Sequence, residues 1–98
     1  MSTLTLLVTY TTNPGQRDAF LDALNESGLP AKVRKEAGCL QYDYFQSVDN
    51  PDEILLVERW TSPVMQKVHL AKPHMLPLVG LKKKFIAETK VLKLSDTE

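Results

Sequence analysis

The chain has two histidines, His69 and His74, five residues apart with Pro73 between them. Imidazole titrates nearest neutral pH of all side chains, so either residue suits general-base work. The plainer alternative is a surface or helix-end histidine. Glu58 and Trp60 stand two apart in the run 54–60, which puts them on one strand face with Ile54 and Leu56. A carboxylate on such a face needs a partner, because burying it unpaired is costly. Two roles fit it: a structural salt bridge or dimer contact, and a pocket carboxylate that orients a base or a substrate hydroxyl. Tyr42 and Tyr44 share a face of the preceding strand and offer an aromatic pocket wall. Trp60 is by type more often core or interface than ligand contact. Cys39, beside Gly38, reads as a small buried hydrophobe, since nothing in the spacing brings it to His69.

Several chemistries have little to build on. The histidines lack a metal-ligand spacing, and a single cysteine excludes both an internal disulfide and multi-cysteine zinc patterns. There is no Gly-x-Gly-x-x-Gly, no phosphate-binding loop and no haem-attachment motif, so no cofactor is expected. Twelve basic side chains balance twelve acidic ones, which argues against nucleic acid as a partner. The run Lys82-Lys83-Lys84 reads as a solvated entry to the last strand. With 98 residues, 43% of them hydrophobic, the chain suits one folded domain over 1–98, with an ordered core of about 3–94. No apolar run approaches the ~20 residues that span a bilayer. The N-terminus lacks a basic leader. A cytoplasmic protein with no membrane partner is expected.

The elements that must position these residues follow from local patterns. Residues 3–11 alternate, with Leu4, Leu6, Val8 and Tyr10 on one face, and predict a strand. Asn13-Pro14 with Gln16 predicts a helix start by capping, and the helix runs to about residue 36 with a break at Gly28-Leu29-Pro30. Gly38 is a candidate left-handed cap. Residues 39–47 and 53–60 predict a hairpin around the turn residues Asp49-Asn50-Pro51-Asp52, with Leu40, Tyr42 and Tyr44 on one face. Ser62-Pro63 predicts a helix over 62–71, with His69 beside its apolar stripe. A short helix is expected near 74–82 and a last strand over 84–94. The order β-α-β-β-α-β is the ferredoxin-like arrangement, an α+β fold with an antiparallel sheet and helices on one face. Leu6-Leu7-Val8 and Ile54-Leu55-Leu56-Val57 are apolar on both faces. The second face therefore needs a cover, and a second copy of the sheet, giving a homodimer, is the simplest one.

Taken together, the segments Glu36-Ala37-Gly38-Cys39-Leu40-Gln41-Tyr42, Glu58-Arg59-Trp60, His69 and Pro73-His74 resemble the antibiotic biosynthesis monooxygenase family, from about residue 3 to about residue 94. The resemblance implies a dimeric α+β barrel whose sheets face each other, with a pocket in each protomer between sheet and helices. It also implies one of several activities: oxidation of quinols or polycyclic phenols without metal or flavin, haem degradation, or isomerisation of small sugar-derived signals. The haem-degrading type relies on an Asn of the first strand, and here that strand offers only threonines as polar residues of that size.

The expected function is a cofactor-independent monooxygenase acting with O2 on a small aromatic, quinol-like or polycyclic phenolic substrate. His69 is the expected base, with Glu58 orienting it or the substrate. Tyr42 and Trp60 would line the pocket, and His74 would sit at its rim. Two rivals use the same scaffold. One is a proton-transfer isomerase, which consumes no oxygen. The other is a non-catalytic dimer that binds a small hydrophobic ligand and does not depend on His69.

Overall fold

The computed structural model describes the backbone of residues 2–97 and the side chains of residues 3–94. Strand β1 (Ser2–Thr12) leads to α1 (Arg17–Ser27) and α2 (Leu29–Arg34). The hairpin β2 (Cys39–Gln46) and β3 (Glu53–Trp60) follows, then α3 (Pro63–Leu70). A 3-10 turn (Pro73–Met75) joins α3 to α4 (Leu76–Phe85), and β4 (Ile86–Thr97) follows. The sheet order is β2-β3-β1-β4, antiparallel throughout, which is the ferredoxin-like α+β topology. Among the described residues no helix is long and apolar enough to cross a membrane.

The alternation of the central strands decides where the helices pack. Leu4, Leu6, Val8 and Tyr10 of β1 pair with Trp60, Glu58, Leu56 and Ile54 of β3, and all eight are buried. Phe20 and Leu24 of α1 and Leu29 and Val33 of α2 close over them to form the core. The opposite face carries Leu7, Leu55 and Val57, half-buried, beside Phe45, Leu92 and Leu94, which are exposed. Among the described residues no helix covers this face. It is an apolar surface of the kind that marks an association site.

Four local expectations are corrected. The first helix starts at Arg17 and not at Pro14. Asn13-Pro14-Gly15 is a turn instead, closed by Gln16 N–H to Asn13 O and made possible by Gly15 at φ +75°. The Asn13 side chain donates to Lys84 O, so it ties the turn to α4 and caps nothing. Second, Lys82–Lys84 lie in the last turn of α4, where cations complement the helix dipole, and β4 begins only at Ile86. Third, Leu40 leaves the Tyr42 face, because a register irregularity between Cys39 and Gln41 turns it outward. Fourth, the apolar stripe expected beside His69 does not face the core: Val64 and Val68 are exposed, and of all α3 residues only His69 is buried.

Candidate active site

His69 is placed by a chain of local features. Ser62 accepts a hydrogen bond from Met65 N–H through its Oγ and so caps α3, with Pro63 in the first turn. That fixes the helix start, and nearly two turns later His69 points back onto the sheet. A second anchor comes from Gly38. Its φ is +86°, and a Cβ there would lie 2.7 Å from Met65 Cβ and Cγ. Glycine lets α3 approach the start of β2, and Thr61 N–H donates to Gly38 O at 2.9 Å. Glu36, at the end of the helical segment, is thereby brought beside α3.

The result is a shared carboxylate. Glu36 Oε2 lies 2.8 Å from His69 Nδ1 and 2.8 Å from His74 Nε2. A carboxylate only accepts, so both ring nitrogens donate to it. His69 then carries its free lone pair on Nε2. The side chains of His69 and Glu36 are 1% and 5% exposed, and that of His74 is 23% exposed. The Trp60 indole lies against the His69 ring, centroids 4.6 Å apart and 32° between planes. Tyr42 meets the same ring edge-on at 5.9 Å. The imidazole is therefore clamped on two sides by rings and oriented at one nitrogen.

Glu58 stands on the other side of His69, its Oε1 3.9 Å from Nε2, too far for a hydrogen bond. Its Oε1 accepts instead from Trp60 Nε1–H at 3.1 Å. Burial pushes the Glu58 carboxyl above the usual carboxylate range; the indole N–H and His69 pull the other way, and Glu36 adds to the rise. The Tyr42 hydroxyl pairs with the Tyr44 hydroxyl at 3.0 Å. Burial, chiefly, raises both phenols, which makes them neutral walls and not bases. Burial likewise raises the Cys39 thiol, so it offers no thiolate nucleophile.

A cavity of about 480 Å³ opens in front of His69, between the sheet, α3 and α4. Tyr42, Glu58 and His69 line it together with Leu6, Leu56 and Leu78. Trp60 stands behind His69 and is fully buried, away from that lining. His74 also lies off the lining, on the far side of Glu36. A separate groove between α1, α2 and the β2 edge is lined by Asp18, Asp22, Arg34 and Asp43 and contains no histidine. Among the described residues no group of three or more His, Cys, Asp or Glu side chains is disposed to hold a metal ion.

The structure thus brings His69, Glu58, Tyr42 and Trp60 into one cluster, and His74 into its periphery. It adds Glu36, which the sequence presents only as the end of a helix. The available signal was its place at the head of the Glu-Ala-Gly-Cys segment, where a helix would more usually end in a basic residue.

The antibiotic biosynthesis monooxygenase profile matches residues 3–79, which includes every residue of this cluster. The chain belongs to the antibiotic biosynthesis monooxygenase family. Among curated proteins, Escherichia coli strain K12 has a relative named "Probable quinol monooxygenase YgiN", 36% identical over 83 residues, covering 74% of this chain and 77% of that protein. Among solved structures, PA3566 of Pseudomonas aeruginosa superimposes with a TM-score of 0.88 at 28% identity, covering 100% of this chain and 97% of that one. The crystal structure of an antibiotic biosynthesis monooxygenase gives 0.82 at 25% identity, covering 97% and 99%. A monooxygenase-like function is thereby supported for this family member.

Proposed function

We propose that this protein is a homodimeric monooxygenase that oxidises a small quinol-like aromatic with O2 and uses neither metal nor flavin. The observation that carries this reading is the Glu36–His69 pair, with the imidazole held by its Nδ1 and the ring set in the wall of a largely apolar cavity. The relative named as a quinol monooxygenase supports the same substrate class.

The chemistry asks three things of the protein: a base, orientation and a dry pocket. His69 Nε2 takes a phenolic proton, and Glu36 stabilises the imidazolium that forms. The electron-rich phenolate then gives electrons to O2. For a hydroquinone the balance is quinol plus O2 to hydroxyquinone plus water. One oxygen atom enters the ring, and the substrate's own electrons and protons reduce the other to water. No external reductant is needed. Glu58, with its charge disfavoured by burial, serves as a hydrogen-bond partner for a substrate oxygen beside the base.

The dimer follows from the uncovered sheet face. Leu7, Leu55, Val57, Phe45, Leu92 and Leu94 form one apolar surface, and a two-fold axis through it lets the same patch cover itself. The test of the activity is oxygen uptake with 1,4-dihydroxynaphthalene by metal-free protein. His69→Ala is expected to lower the rate by about 10²–10⁴, the usual worth of a positioned base, with the dimer still folded. Equal rates in wild type and His69→Ala, or turnover that proceeds without oxygen, overturn the reading.

A further inference from the structure

The cavity before His69 is apolar in its body and cationic at its edges. Lys67 from α3, Lys82 from α4 and Lys93 from β4 reach its lining from three directions. The Lys82 ammonium stands 5.4 Å over the ring of Tyr10, itself a wall residue, so this lysine is turned into the opening. None of the three has a carboxylate within ion-pair distance among the described residues. Among the described residues the only carboxylate on the lining is Glu58. Its charge is disfavoured by burial, and its Oε1 is engaged by the Trp60 indole. Among the described residues no negative charge in the cavity therefore offsets the positive potential of the three ammonium groups.

A neutral quinol would satisfy the walls and leave those ammonium groups without partners. An acid would satisfy both. We propose that the substrate is a hydroxylated aromatic acid, of about naphthoate size, with its phenol at His69 and its carboxylate among Lys67, Lys82 and Lys93. The inference rests on the quinol-oxidising reading of this site and adds the group that selects the substrate. The cavity of about 480 Å³ is within the usual range for small-molecule sites. Charge-assisted hydrogen bonds to a carboxylate are about twice as strong as neutral ones, and a convergent positive field also speeds encounter with an anion. Because the lysines stand at the mouth and not in the core, this selection weakens with salt.

The experiment compares 6-hydroxy-2-naphthoate with 6-hydroxy-2-naphthamide. The two share ring, phenol and shape and differ in charge. Binding to the full-length protein is measured by calorimetry under nitrogen, for wild type and for the double variant Lys82→Gln/Lys93→Gln. The acid is expected to bind wild type about tenfold or more tightly than the amide at low salt, with the preference shrinking at high salt and in the double variant. Equal binding of acid and amide overturns the proposal. So does a preference that is undiminished in the double variant, or failure of both compounds to bind at millimolar concentration. Binding under nitrogen reads no oxygen chemistry. An acid preference in a protein that consumes no oxygen thus supports the anion site and counts only against the monooxygenase reading. Oxygen uptake on neutral quinols without any acid preference does the reverse.

Discussion

Replacing Glu36 by Gln keeps the shape of the side chain and removes the charge that two imidazoles share. Both ring nitrogens donate to the one oxygen Oε2, and an amide oxygen in its place can still accept from both, so what the substitution removes is the charge. The His69 bond is buried at both ends, and a hydrogen bond to a charged group contributes about 1.5–3 kcal/mol. The His74 bond is partly open to solvent and adds at most about 1 kcal/mol. Glu36→Gln keeps the acceptor but loses the charge assistance, and is therefore expected to cost about 1–2 kcal/mol of stability. The effect on turnover is separate and larger in proportion. A carboxylate that fixes the tautomer of a catalytic histidine and stabilises its imidazolium is worth up to about 10⁴ in kcat. Glu36→Gln should thus lower oxygen-dependent kcat by about 10²–10⁴ with a smaller change in KM. The assays are urea denaturation of the dimer and steady-state oxygen uptake. His74→Ala, which breaks only the outer bond, should cost under about 1 kcal/mol and reduce kcat by less than about tenfold. A Glu36→Gln variant with kcat within threefold of wild type, at unchanged stability, refutes the assignment of Glu36 as the group that orients the base.

Three further outcomes follow from the geometry. Gly38→Ala forces a Cβ to within 2.7 Å of Met65 at φ +86° and should destabilise by about 2–4 kcal/mol, whereas Gly15→Ala, at φ +75° in open space, should cost about 1–2 kcal/mol; thermal melts of both compare them. The raised Glu58 carboxyl means that the folded protein holds a proton that the unfolded chain releases, so wild type loses stability as pH rises from the ordinary glutamate value, about 4.3, through the raised folded value. Glu58→Gln keeps the acceptor for Trp60 and should lose that component of the pH profile; identical slopes for the two proteins across this window would argue against the burial effect. Val57→Asp places a charge in the uncovered sheet face and should convert a sedimenting dimer to monomer, while a wild type that sediments as a stable folded monomer at micromolar concentration removes the dimer altogether.

The fold was legible wherever the signal is local. Strict alternation in β1 and β3 sets their faces, and Ser62-Pro63 sets the start of α3, because each depends on backbone geometry within a few residues. The start of α1 was less legible: Asn13-Pro14 suits a helix start and a turn equally, and Gly15 with the contact to Lys84 selects the turn. The lysine run went the same way, since a chain of three lysines fits a helix end as well as a strand entry. In the site, Glu58, Trp60 and Tyr42 could be grouped from strand register, because Glu58 faces Tyr42 across the β2–β3 pair. Glu36 could not, because its contact with His69 spans 33 positions and its contact with His74 spans 38, set by the approach of α3 and the 3-10 turn. Sequence reading offered Glu58 as a carboxylate that orients either the base or the substrate, because it stands on an apolar strand face. The structure gives the contact with the base to Glu36 and leaves Glu58 hydrogen-bonded to Trp60.

The fate of the oxygen atoms tests the monooxygenase reading most sharply. Metal-free, flavin-free protein is given ¹⁸O₂ and a hydroquinone, and the product is read by mass spectrometry, with peroxide assayed in parallel. The expected product is a hydroxyquinone that carries one ¹⁸O atom, with the second atom in water and no stoichiometric hydrogen peroxide. An unlabelled quinone with an equivalent of peroxide, or a product formed without any oxygen consumed, contradicts that reading.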